Sequence, residues 1–142
     1  MGRLHGLLRL EEVLQEDGST LVREGRTVWR LLEPLEWRLA GPETINGIVV
    51  PTGFETDLAS VPRLVRGLIP ASGPWQRAAV IHDYCYKTKG ACIPAWWYDG
   101  MDRREVADMI FREAMKAANV ASATRMLLWF AVRAGGAKGW GS

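Results

Sequence analysis

The sequence predicts an α+β fold in which antiparallel β-hairpins, or a small meander, come first and about three α-helices follow and pack with them. Three observations lead there. Residues 4 to about 56 alternate short apolar runs with turn residues, as strands do. Beyond Pro62 the apolar residues recur three and four apart, as on amphipathic helices. The chain is 142 residues long, 48% hydrophobic and 24% charged, which suits one globular domain over residues 1–142 rather than two.

The strand-forming runs, in order, are Leu7–Leu14, Thr20–Val22, Thr27–Leu32, Leu35–Leu39 and Ile48–Val50. Glu16-Asp17-Gly18-Ser19 separates the first two, and Asp17-Gly18 and Asn46-Gly47 are hairpin signals because their residues tolerate positive φ. The first helix is expected from Pro74 through Ile81, His82 and Cys85 to about Lys89, with proline at a helix start, where its missing N–H costs nothing. The second begins at Asp102, with Glu105 as its capping-box partner, and buries Val106, Ile110, Ala114 and Ala117. The third begins near Ser122, buries Met126, Leu127, Phe130 and Ala134, and stops at Gly135-Gly136. Between the first two helices, Gly90–Gly100 carries Trp96-Trp97-Tyr98 and is longer than a simple helix connection, so these three aromatics are candidate interface residues.

Composition narrows the function. No run approaches the ~20 apolar residues of a membrane span, and the first five residues lack the apolar segment of a secretion signal, so a protein made and kept, or assembled, in the cytoplasm is expected. Cys85 and Cys92 are too few for a disulfide framework, and their spacing fits neither a zinc knuckle nor a CxxC redox pair. Both read as free thiols, with Cys85 packed. Residues 1–62 hold 10 acids and 6 bases, and residues 63–142 hold 12 bases and 6 acids. That excess is spread over helical surface, so a nucleic-acid partner is not expected. Seven tryptophans, and 14 arginines against 4 lysines, suit contacts between proteins.

Two clusters can carry chemistry. In Gly53–Pro62 a strand ends and a helical turn begins. Ser60 suits an N-cap there, and Asp57 either bonds local backbone amides or points at a site above the turn. In Ala78–Tyr86, His82 and Tyr86 lie one helical turn apart and Asp83 is rotated by about 100°, so the three polar groups share a broad face after an apolar run. Buried titratable groups need partners, and the candidates are Asp57 and, from the next helix, Asp108 paired with Arg104. If Asp108 accepts a hydrogen bond from His82, the imidazole is held in one tautomer and becomes a competent general base. His82, Asp83, Asp57 and Asp108 are thus the candidate catalytic residues. As an alternative, His82, Asp83 and Asp57 form a ligand set for a divalent metal such as Zn, Mn or Fe. A buried polar network with no chemistry is the third reading.

The string His82-Asp83-x-Cys85-Tyr86 is similar to the active-site helix of secreted phospholipases A2, but the match covers five residues, and the chain lacks that family's disulfides and glycine-rich calcium loop. A wider resemblance rests on three motifs in order: Thr56-Asp57-Leu58-Ala59-Ser60-Val61-Pro62, Ala78–Tyr86, and Arg103-Arg104-Glu105-Val106-Ala107-Asp108-Met109-Ile110-Phe111. Arg125, Trp129, Arg133 and Gly135-Gly136 also fit its pattern. These residues resemble the domain-of-unknown-function family 1353, found chiefly in tailed bacteriophages and prophages. The resemblance covers residues 45–140 and leaves 1–44 as an N-terminal β-hairpin region. It implies a bacteriophage or prophage structural or assembly protein, in the tail, tail tip or neck of the virion and in the host cytoplasm during assembly, with other phage structural proteins as partners. It supplies no reaction. The alternative is a small His/Asp-dependent hydrolase, metal-dependent or not, acting on cell-envelope material.

Overall fold

In the computed structural model the described residues are 2–39, 47–58, 65, 67–69, 73–97 and 100–141. The architecture is α+β, with antiparallel strands from the N-terminal part and helices after them. Strands β1 (Gly2–His5), β6 (Leu35–Leu39) and β7 (Gly47–Val50) form one sheet in the order β1-β6-β7. Strands β2 (Leu10–Glu12), β5 (Trp29–Leu31) and β8 (Glu55–Thr56) form a second, and β3 (Val22–Arg23) with β4 (Arg26–Thr27) makes a two-stranded ribbon.

Side-chain alternation explains the pairing. Leu35 and Trp37 on β6 lie opposite Val50 and Ile48 on β7, and all four are buried, while the intervening pair Glu36 and Val49 faces outward. The β3–β4 turn places Glu24 and Gly25 at φ of 51° and 76°, the two positive values a tight type I′ turn requires. The Asp17-Gly18 turn forms as expected: the Asp17 carboxylate accepts hydrogen bonds from the Ser19 amide at 2.9 Å and the Ser19 hydroxyl at 2.6 Å. The Asn46-Gly47 signal falls on Asn46, which lies outside the described residues, as do Ser60 and the rest of 59–64.

The helices are α1 (Trp75–Lys87), α2 (Arg103–Ala117), α3 (Ser122–Gly135) and a short α4 (Ala137–Gly141). Helix α1 packs against β6, β7, α2 and α4, and α2 packs in turn on α3 and β1. Surrounded in this way, α1 has Ala78, Ala79, Val80 and Ile81 all fully buried. Over these four positions the helix is enclosed on all sides and needs no polar residue, which accounts for the unbroken apolar run ahead of His82.

Three details differ from expectation. The capping box at α2 is not formed: no side chain caps the helix, and Asp102 contributes its carbonyl to the Val106 amide at 3.0 Å. Ala117 faces solvent, and Ala118 with Met115 fills the core in its place. In α3 the buried pair is Leu128 and Val132, whereas Met126 and Phe130 are each 57% exposed and Ala134 is exposed. Both series repeat at four residues, so periodicity alone does not choose between them. The face that packs on α2 is the one that also brings Arg133 to Asp108.

Candidate functional site

Helix α1 delivers His82 and, one turn later, Tyr86, and α2 delivers Asp108 and Phe111. Asp108 is the hub. Its Oδ1 accepts hydrogen bonds from His82 Nε2 and from the Tyr86 hydroxyl, each at 2.7 Å, and its Oδ2 accepts from Arg133 Nη1 at 2.8 Å. His82 and Asp108 are fully buried. The His82 ring lies between Tyr86, at a centroid distance of 4.3 Å, and Phe111, at 4.6 Å.

Burial on its own would raise the Asp108 pKa, but the hydrogen bond and charge of His82 and the hydrogen bonds of Tyr86 and Arg133 outweigh it and hold the carboxyl below its ordinary range. Burial, reinforced by the bond to Asp108, pushes the Tyr86 hydroxyl well above its ordinary value, so it stays a donor. Asp108 in turn raises the Arg133 pKa, keeping the guanidinium charged. A carboxylate 2.7 Å from Nε2 favours the tautomer in which that nitrogen carries the imidazole proton and donates it to Asp108. In a neutral ring Nδ1 then holds a lone pair. Among the described residues nothing hydrogen-bonds to it, although it is buried.

The expected bond between His82 and Asp108 is therefore present, while the expected pairing of Arg104 with Asp108 is not. Arg104 donates through Nε to the Tyr86 hydroxyl at 3.2 Å and through Nη2 to the carbonyls of Val132 and Arg133, each at 2.9 Å. A guanidinium suits this place because its fork satisfies two carbonyls at the end of α3 at once. The counter-ion of Asp108 is Arg133, from a different helix. Charge pairing within one helix is readable from spacing, whereas this pairing arises only when α3 packs on α2.

Asp83 points elsewhere, toward β8. The Thr56 hydroxyl donates to its Oδ2 at 2.7 Å and accepts the Leu58 amide at 3.1 Å. Burial raises the Asp83 pKa, opposed by the Thr56 bond and by Lys87, and the charge of Asp57 raises it further. Asp57 lines an open cleft of about 430 Å³ with Leu10, Arg26, Trp29, Leu58 and Gln76. It does not bond to His82, whose hydrogen-bonding partner is Asp108. The four candidates thus divide into a buried His82–Asp108 pair, Asp83 bonded to buried Thr56, and Asp57 in the wall of the cleft. Among the described residues no three His, Cys, Asp or Glu side chains gather to hold a metal ion, so His82, Asp83 and Asp57 do not make a three-ligand centre.

Of the candidate interface residues, Trp97 is half-buried and packs against the core, whereas Tyr98 and the Trp96 side chain lie outside what is described. No helix of the described residues is long and apolar enough to cross a membrane. A family model described as "Protein of unknown function (DUF1353)" matches residues 29–132. No curated protein and no solved structure matches the chain.

Proposed function

The chain belongs to the DUF1353 family, whose function is unknown, and on that premise we propose that it carries a hydrolytic site with His82 as general base and Asp108 as the group that positions it. The observation that carries this reading is the buried Nδ1 without a described partner beside an Nε2 fixed by a carboxylate. A network serving stability alone gains nothing by leaving a buried acceptor unpaired, at a cost of about 1–3 kcal/mol. A base needs that free lone pair.

In the proposed reaction Nδ1 takes a proton from water as the water oxygen attacks a carbonyl carbon of envelope material. The resulting imidazolium is stabilised by ionised Asp108, and its proton passes to the leaving group. Arg133 and Tyr86 keep Asp108 ionised and oriented throughout. Since the ring is fully buried, Nδ1 is reached through a movement of what covers it, and the resting site is closed to bulk water.

The test is hydrolysis of phospholipid vesicles and of peptidoglycan fragments, assayed with and without added divalent cations. The wild type is expected to act on one of them. His82→Gln, checked by circular dichroism for an intact fold, is expected to lose activity by about a hundredfold or more. A folded His82→Gln protein as active as the wild type would eliminate the proposal.

A second reading, compatible with the first, is a role in bacteriophage or prophage assembly among other phage structural proteins, in the tail, tail tip or neck. It is supported by the resemblance described above and by Met126 and Phe130, which present an apolar stripe to solvent along α3. Mass spectrometry of purified particles from a strain encoding the chain is expected to detect it, and its absence from them would end this reading.

A further inference from the structure

Cys85 and Cys92, seven residues apart, meet in space. Cys85 sits fully buried in the last turn of α1, and Cys92 lies half-buried in the loop that follows. Their sulfurs are 3.7 Å apart and share a hydrogen bond.

The approach is built by the backbone. After Thr88 the chain takes two successive left-handed residues, Lys89 at φ 51° and Gly90 at φ 80°, which turn it back over the helix end. The Gly90 amide bonds the Cys85 carbonyl at 2.8 Å, and the Ala91 amide bonds the Thr88 carbonyl at 3.0 Å. The Cys92 amide bonds the Thr88 hydroxyl at 3.4 Å. Buried Ile93 anchors the far side.

We propose that Cys85 and Cys92 are a reversible dithiol–disulfide site, with Cys92 the thiol that meets the oxidant and Cys85 the thiol that resolves. The sulfurs need to close by about 1.7 Å, from 3.7 Å to a bonded distance near 2.05 Å. The oxidant is a small-molecule disulfide. The Cys92 thiolate attacks one of its sulfurs, forming a mixed disulfide and releasing one small thiolate. Cys85 then loses its proton and attacks the Cys92 sulfur, expelling the second small thiol. Two protein thiols are oxidised and one small disulfide is reduced to two thiols. The order follows from the surroundings. Cys92 is the more exposed of the two, and the bond from Cys85, with help from Thr88, pushes its pKa down. The same bond and full burial push Cys85 well up.

The experiment is equilibration of the whole folded protein with oxidised glutathione, a linear small-molecule disulfide, read by thiol titration, intact mass and a peptide map, with a parallel sample in urea. Native protein is expected to lose both thiols and two hydrogens of mass as a monomer, with Cys85 linked to Cys92, faster than the urea-unfolded chain and reversibly in reduced dithiothreitol. Cys92→Ser is expected to leave Cys85 unreacted under the same conditions. Persistence of both thiols, a mixed disulfide that stops at Cys92, a bond between two chains, or closure no faster than in urea would each overturn the proposal.

Discussion

Asp108→Ala is expected to lower the unfolding free energy by about 3–5 kcal/mol, the usual effect of breaking a buried ion pair from one side. The carboxylate is the shared acceptor of His82, Tyr86 and Arg133. Arg133 is 33% exposed and can turn to water, so most of the loss falls on His82 Nε2 and the Tyr86 hydroxyl, which cannot. Urea unfolding measures it. A loss under about 1 kcal/mol would show that the three-helix junction does not depend on Asp108. Acidification gives the same result without mutation. The pKa of Asp108 is depressed in the folded state, so its contribution is whole above the ordinary carboxylate value near 3.8 and is lost as pH falls through the depressed one. Asp83, raised by burial, runs the other way: its contribution is whole below that ordinary value and declines as pH climbs to the raised one. Asp83→Asn, which keeps an acceptor for Thr56, is therefore the control: it should be tolerated at neutral pH while Asp108→Ala is not.

Phe111→Ala should cost about 3–5 kcal/mol, as full truncation of a buried aromatic does. The ring is fully buried and lies against the His82 imidazole, tilted by 31°. Its loss opens a cavity beside the imidazole and removes one of the two rings that fix its plane. Phe111→Leu keeps much of the volume and is expected to cost less than about 1.5 kcal/mol. Thermal or urea unfolding of the two variants separates volume from aromaticity. Equal losses would mean that ring contact with His82, not packing, dominates.

The elements that were legible in advance have local causes. Pro74 and Asp102 mark where α1 and α2 begin, Gly135 closes α3, and Asp17-Gly18 makes its turn. The burial of His82 and its need for a partner were legible from the apolar run ahead of it, but the sequence offered both Asp57 and Asp108, and only the packing of α2 on α1 chooses Asp108. What was not legible depends on packing. The phase of α3 is decided by α2, because Leu128–Val132 and Met126–Phe130 carry the same periodic signal. Arg133 is one arginine among 14 until α3 docks beside Asp108. The meeting of Cys85 and Cys92 depends on two consecutive left-handed residues, of which only Gly90 advertises itself in the sequence.

The path of the chain also orders the site in time. Both three-stranded sheets close within the first 56 residues, with β8 ending at Thr56 and β1 already paired to β6. A growing polypeptide can complete them while the helices are still unmade. Asp108 then arrives with α2, and its counter-ion Arg133 follows only with α3. Until Arg133 has left the ribosome, Asp108 lacks the cation that pairs with its second oxygen. A chain that stops before α3 keeps His82 and Asp108 but lacks the guanidinium that pairs with the carboxylate.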